Sequence, residues 1–204
     1  MNQPVVFVFS QILELVRAVK GEQVLCFPTE TTYGIGGLAV SESATRRIFA
    51  IKGRQYDQPL PVICGSWEQV ERCVIIEPYQ RPLLEAFWPG PLTAVLPARI
   101  PFPAGVVDAQ GNIAVRITGH ALLRALVKHT GPISATSANQ SGQPAATSAV
   151  ACLPLAVDAV LHDDDSTQTT PSTIITWQEG RVVILREGAL NKHRLEQFIA
   201  SATT

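Results

Sequence analysis

The chain has 204 residues, 46% of them hydrophobic and 16% charged, with a formal net charge of −1. That length suits one hydrophobic core, and the composition excludes a disordered chain, which carries few apolar and many charged residues. Near-neutral charge gives no bulk attraction to nucleic acid or an anionic membrane. No apolar run approaches the roughly 18 residues of a spanning segment, and no basic stretch leads into a signal-like core, so the expectation is a single cytoplasmic domain over residues 1–204.

In chain order, Ser10 followed by Ile12, Leu15, Val16 and Val19 and then Gly21 predicts a capped amphipathic helix with a glycine at its C-terminus. A buried strand is expected from Gln23 to Phe27. The run Pro28-Thr29-Glu30-Thr31-Thr32-Tyr33-Gly34-Ile35-Gly36-Gly37 then reads as a hydroxyl- and glycine-rich loop after that strand. Such loops commonly carry sites, but the run has neither the P-loop order nor G-x-G-x-x-G, and an ordinary turn explains it equally well.

A helix from Ser41 to Lys52 places Lys52 and Arg54 at a helix-to-loop exit, read as exposed, where both could face one anion. Solvent and the helix dipole would satisfy Lys52 just as well. A strand at Leu60 to Cys64 follows, then helices at Ser66 to Cys73 and Tyr79 to Phe87. Trp88-Pro89-Gly90-Pro91 forms a corner before a strand at Thr93 to Leu96.

Arg116 sits in the apolar strand Ile113 to Ile117 and needs an anionic partner, a ligand or solvent there. After a helix from His120 to Lys128, the strand Ile133 to Thr136 ends at Ser137-Ala138-Asn139, a dense row of donors and acceptors. Strands at Val157 to Leu161, Thr173 to Thr176 and Val182 to Leu185 carry Ser172 and Arg186 at their boundaries, and a helix from Asn191 to Ile199 closes the pattern. The interleaving predicts an α/β domain with a twisted mixed sheet flanked by helices around an open concave cleft. Asp163 to Thr170 reads as a surface loop. The scattered cysteines and histidines offer no metal-ligand spacing, so no protein-held metal is expected.

Seven runs in order carry a resemblance: Pro28 to Gly34, Lys52-Gly53-Arg54, Trp88 to Thr93, Ala114-Val115-Arg116, Ser137-Ala138-Asn139, Ser172-Thr173-Ile174 and Leu185-Arg186-Glu187-Gly188. Together the chain resembles the YrdC/Sua5 family of threonylcarbamoyl-AMP synthases, in its short type. The resemblance implies a nucleotidyltransferase that joins L-threonine, bicarbonate and ATP, with Mg2+ on the phosphates, into threonylcarbamoyl-adenylate and pyrophosphate. That product feeds a downstream transferase machinery making the t6A modification at position 37 of tRNA, with weak tRNA contact a further implication. By the same resemblance Thr31, Arg116, Ala135 and Ser172 line a threonine pocket. Lys52, Arg54, Gln58, Asn112, Ser137, Asn139 and Arg186 hold ATP, with Lys52 and Arg54 serving catalysis. Gln55 and Gln58-Pro59-Leu60 depart from the family's usual proline and Asn-Pro-Leu, and Ala145 stands where a relative carries serine. The rival readings are an RNA-binding module and a YrdC-like paralogue without synthase activity.

Overall fold

A computed structural model describes residues 3–56, 58–163 and 170–202. Ten strands among these residues form one mixed sheet: β1 (Val5–Phe7), β2 (Leu25–Phe27), β3 (Gly34–Leu38), β4 (Val62–Cys64), β5 (Leu92–Pro97), β6 (Asn112–Ile117), β7 (Ile133–Ser137), β8 (Ala159–Leu161), β9 (Thr173–Gln178) and β10 (Arg181–Arg186). Their spatial order is β1-β8-β2-β3-β7-β4-β6-β5-β9-β10.

Alternation along the central strands decides the layering. Val24 and Cys26, with Val62 and Cys64, join one core, whereas Leu25, Phe27 and Ile63 join a second. Successive side chains of a strand point to opposite faces, so a strand that is apolar at every position must be covered on both. On the second face Leu15 and Val19 of α1 (Ile12–Lys20) pack with Leu123, Leu126 and Val127 of α5 (Ala121–Thr130). The first core takes residues from α2 (Glu42–Lys52), α3 (Trp67–Cys73), α4 (Arg81–Phe87), α6 (Ala149–Cys152) and α7 (Lys192–Ala202). All four cysteines are free and buried.

Helix α2 matters most for the site, and its ends are defined by local chemistry. Ser41 Oγ accepts from the Ala44 amide at 3.0 Å, and Gly53 adopts φ +59°, the left-handed conformation that ends a helix. Ser41→Ala is expected to cost about 1 kcal/mol. Thermal melting should show a drop of a few degrees with turnover unchanged, whereas an unaltered melting temperature would deny the cap any weight.

Two local readings are corrected. Ser10 does not cap α1, because a 3-10 turn (Phe9–Gln11) precedes the helix and Gln11 occupies the cap position. Gly21 stands at the C-terminus of α1 as expected, at φ −80°, and its neighbour Glu22 takes the left-handed conformation. The run from Gly34 to Gly37 is a central strand and not a loop, pairing antiparallel with β2 and β7. Its glycines make that approach possible, since a Cβ on Gly36 would lie 2.2 Å from the Ser134 carbonyl oxygen. Of the loop read at Asp163 to Thr170, residues 164–169 lie outside the described residues.

Candidate active site

Two adjoining cavities open where β7 ends against the exit of α2. The larger, about 440 Å³, is lined by Lys52, Gly53, Arg54, Gln55, Gln58, Ser137, Asn139, Ser141 and Gly142. The smaller, about 280 Å³, is lined among others by Thr31, Arg116, Ala135, Thr136, Ser172, Ile174 and Arg186. Arg54, Gln58 and Ser137 line both. A ligand in one therefore meets a ligand in the other across these three side chains.

Lys52 is only 4% exposed, which corrects the reading of an exposed helix exit. Its ammonium donates to Ser137 O at 2.6 Å, Asn139 O at 3.0 Å and Asn139 Oδ1 at 2.6 Å. The Ser137 hydroxyl donates to the same Oδ1 at 2.7 Å, and the Ser141 amide donates to Lys52 O at 3.0 Å. These bonds tie the loop after β7 to the end of α2. Burial, and then the nearby Arg54 charge, push the Lys52 ammonium down from 10.5 to about 8. Both causes disfavour a buried cation, so an anion entering the larger cavity would be doubly favourable. Arg54 reaches the shared rim and donates to Thr136 Oγ1 at 3.2 Å.

In the smaller cavity a hydroxyl cluster is built around Thr29. Its Oγ1 donates to Thr32 O at 2.6 Å, accepts from the amides of Thr31 and Thr32, and lies 2.9 Å from Thr31 Oγ1. Thr31 is thereby fixed by an Asx-like turn of a threonine. Opposite, Ser172 Oγ lies 2.9 Å from Thr93 Oγ1, and Arg186 Nη2 donates to Ser172 O at 2.8 Å. Arg116 Nη1 donates to Glu30 Oε1 at 3.2 Å, and the Thr118 hydroxyl donates to Glu30 Oε2 at 2.7 Å. Burial and then the Arg116 charge lower the Arg186 guanidinium from its ordinary value. This cavity thus presents closely spaced cations and hydroxyls, suited to a small polar anion.

The structure brings together ten of the eleven residues expected at the site. Asn112 lines neither cavity: it begins β6, and its carboxamide donates to Asp108 Oδ2 at 3.3 Å. Arg186, expected on the nucleotide side, lines the smaller cavity. Glu30, Thr29 and Thr93 were not singled out by sequence reasoning. A lone carboxylate within a hydroxyl run flanked by buried strands was the available signal for Glu30.

The fold and site together define an α/β cleft of two adjoining cavities, lined by hydroxyls and by the cations Lys52, Arg54, Arg116 and Arg186. The Sua5/YciO/YrdC model, described as telomere recombination, matches residues 17–188, and the chain belongs to that family. A Mycobacterium leprae protein is 35% identical over 192 residues, 92% of this chain and 87% of that protein. The threonylcarbamoyl-AMP synthase of Pyrococcus abyssi is 35% identical over 186 residues, 89% of this chain and 55% of that protein. The crystal structure of P. abyssi Sua5 complexed with L-threonine matches with a TM-score of 0.89 at 32% identity, covering 97% of this chain and 61% of that one. This chain therefore spans a little over half the length of the archaeal protein.

Proposed function

We propose that this protein is a threonylcarbamoyl-AMP synthase, a nucleotidyltransferase that makes threonylcarbamoyl-adenylate and pyrophosphate from L-threonine, bicarbonate and ATP for tRNA t6A37 modification. The observation that carries the proposal is the pair of cavities meeting at Arg54, Gln58 and Ser137. Threonine occupies the smaller cavity, with Thr31, Ala135 and Ser172 around it and its carboxylate on Arg116. ATP occupies the larger, with its phosphates toward Lys52 and Arg54 and with Ser137 and Asn139 beside them. Arg186, at the threonine side, faces the charge that develops between the two.

The chemistry demands little covalent help from the protein. Bicarbonate loses hydroxide to give CO2, the neutral threonine amine adds to its carbon as one C=O π bond opens onto oxygen, and the amine's proton passes to the hydroxide, leaving a carbamate and water. An oxygen of the resulting carbamate then attacks the α-phosphorus, and pyrophosphate leaves with the electron pair of the broken P–O bond. Negative charge accumulates across the shared rim, where positioning and fixed cations stabilise it. Mg2+ enters as the metal of the ATP substrate, where it offsets phosphate charge. The adenylate then passes to the t6A transferase machinery in the cytoplasm. No helix of the described residues is long and apolar enough to cross a membrane. A net charge of −1 favours the enzyme over an RNA-binding module.

Pyrophosphate release should require ATP, L-threonine and bicarbonate together, and omission of any one should return it to background. Release that ignores threonine would overturn the proposal.

A further inference from the structure

We propose that Glu30 is a positioning residue for the amino-acid carboxylate, acting through Arg116; the inference rests on the assignment of threonine to the smaller cavity. Glu30 does not itself line that cavity, whereas Arg116 does. The ion pair is largely buried, with side-chain exposures of 8% for Arg116 and 17% for Glu30. It engages a single terminal nitrogen, Nη1, at 3.2 Å. Among the described residues that is the guanidinium's one hydrogen bond to the protein, so a fork of donors is left for a ligand.

Glu30 is itself held firmly. The Thr118 hydroxyl donates to its other oxygen at 2.7 Å, and the same hydroxyl accepts from the His120 amide at the start of α5. Burial alone would raise the Glu30 carboxyl. Arg116, Thr118 and the backbone amides of Glu30 and Gly119 outweigh it and hold the group below its ordinary value. A fixed anion bonded to a long, flexible cation removes rotamers that the cation would otherwise have to lose on binding, which is how preorganisation raises affinity. The same charge also moderates a cavity lined by three guanidiniums, those of Arg54, Arg116 and Arg186.

Calorimetric titration of the full chain with L-threonine and with L-threonine amide tests this, alongside threonine and ATP KM values. Wild type should prefer threonine over the amide by at least about tenfold, the magnitude of one charge-assisted hydrogen bond. Glu30→Ala should narrow that preference to within a few-fold and raise the threonine KM by about 10–100-fold, with the ATP KM unmoved. Glu30→Gln, which keeps an acceptor oxygen in place but not the charge, should recover only part of the loss, so its preference stays measurably below wild type and decides the matter if the alanine variant fails to fold. An unchanged preference in both variants would overturn the inference, as would parallel rises in both KM values. A wild-type chain that binds threonine but releases no pyrophosphate would instead indict the synthase reading and leave Glu30's role standing.

Discussion

Lys52→Ala should lower kcat/KM for ATP by about 10²–10³-fold, the usual weight of a preorganised cationic or hydrogen-bonding group aimed at developing charge. It should also lower stability. At 4% exposure, Lys52 is a structural tie as well as the cation proposed to face the phosphates, and its loss leaves Ser137 O, Asn139 O and Asn139 Oδ1 without this donor. Ser137 O keeps the Asn139 amide and Asn139 Oδ1 keeps the Ser137 hydroxyl, so the loss is that of charge-assisted bonds, about 1–3 kcal/mol, several degrees of melting temperature for a domain of this size. A variant that loses activity but melts like wild type would show that these bonds carry no stability.

The same residue sets a pH dependence. Folded Lys52 titrates near 8, whereas its unperturbed value is 10.5. Between these values the unfolded chain holds the extra proton, so the penalty for burying the charge is relieved and stability rises with pH across that window. Activity should run the other way. As pH rises through about 8 the free enzyme loses the Lys52 charge and kcat/KM for ATP falls. Bound phosphates favour the cation, so kcat should fall only at higher pH. In Lys52→Ala the kcat/KM profile should be flat across this window; a fall that persists would assign the titration to another group.

Arg116→Ala carries the second large effect. Removing one partner of a buried ion pair costs about 3–5 kcal/mol because the other charge remains buried without it. Here the stranded charge would be Glu30, so melting should fall by about 10 °C, and the threonine KM should rise by about 100-fold. Glu30 titrates below 4.5 in the folded protein, so its stabilisation is present above that value and is lost as pH falls through its folded pKa. The stability gap between variant and wild type should therefore be largest near neutral pH and shrink in acid. A gap that stays constant from pH 7 to 3 would mean the pair contributes nothing through its charge.

Much of the layered fold was readable from continuous apolar runs such as Val24 to Phe27 and Val62 to Cys64, which imply strands covered on both faces. Strand β3 was not, because three glycines in five residues look like a loop. Their purpose, close approach to Phe27 and the Ser134 carbonyl, exists only once distant strands pair. Candidate residues carried by short runs, such as Lys52, Arg54 and Ser137, could be picked out, and ten of eleven converge on the two cavities. What the runs did not reveal was environment: the burial of Lys52 depends on a loop 85 residues later, and the partner of Arg116 lies 86 residues earlier. Asn112 shows the converse, a polar residue at a strand start whose amide is already engaged by Asp108.

If the two cavities hold threonine and ATP, carbon from bicarbonate joins the two substrates at their shared rim. Incubating the full chain with 13C-bicarbonate, L-threonine and Mg-ATP, and following products by mass spectrometry, tests it directly. A 13C-labelled threonylcarbamoyl-adenylate is expected, formed in step with pyrophosphate. Pyrophosphate released without label entering a threonine-containing adenylate would contradict it.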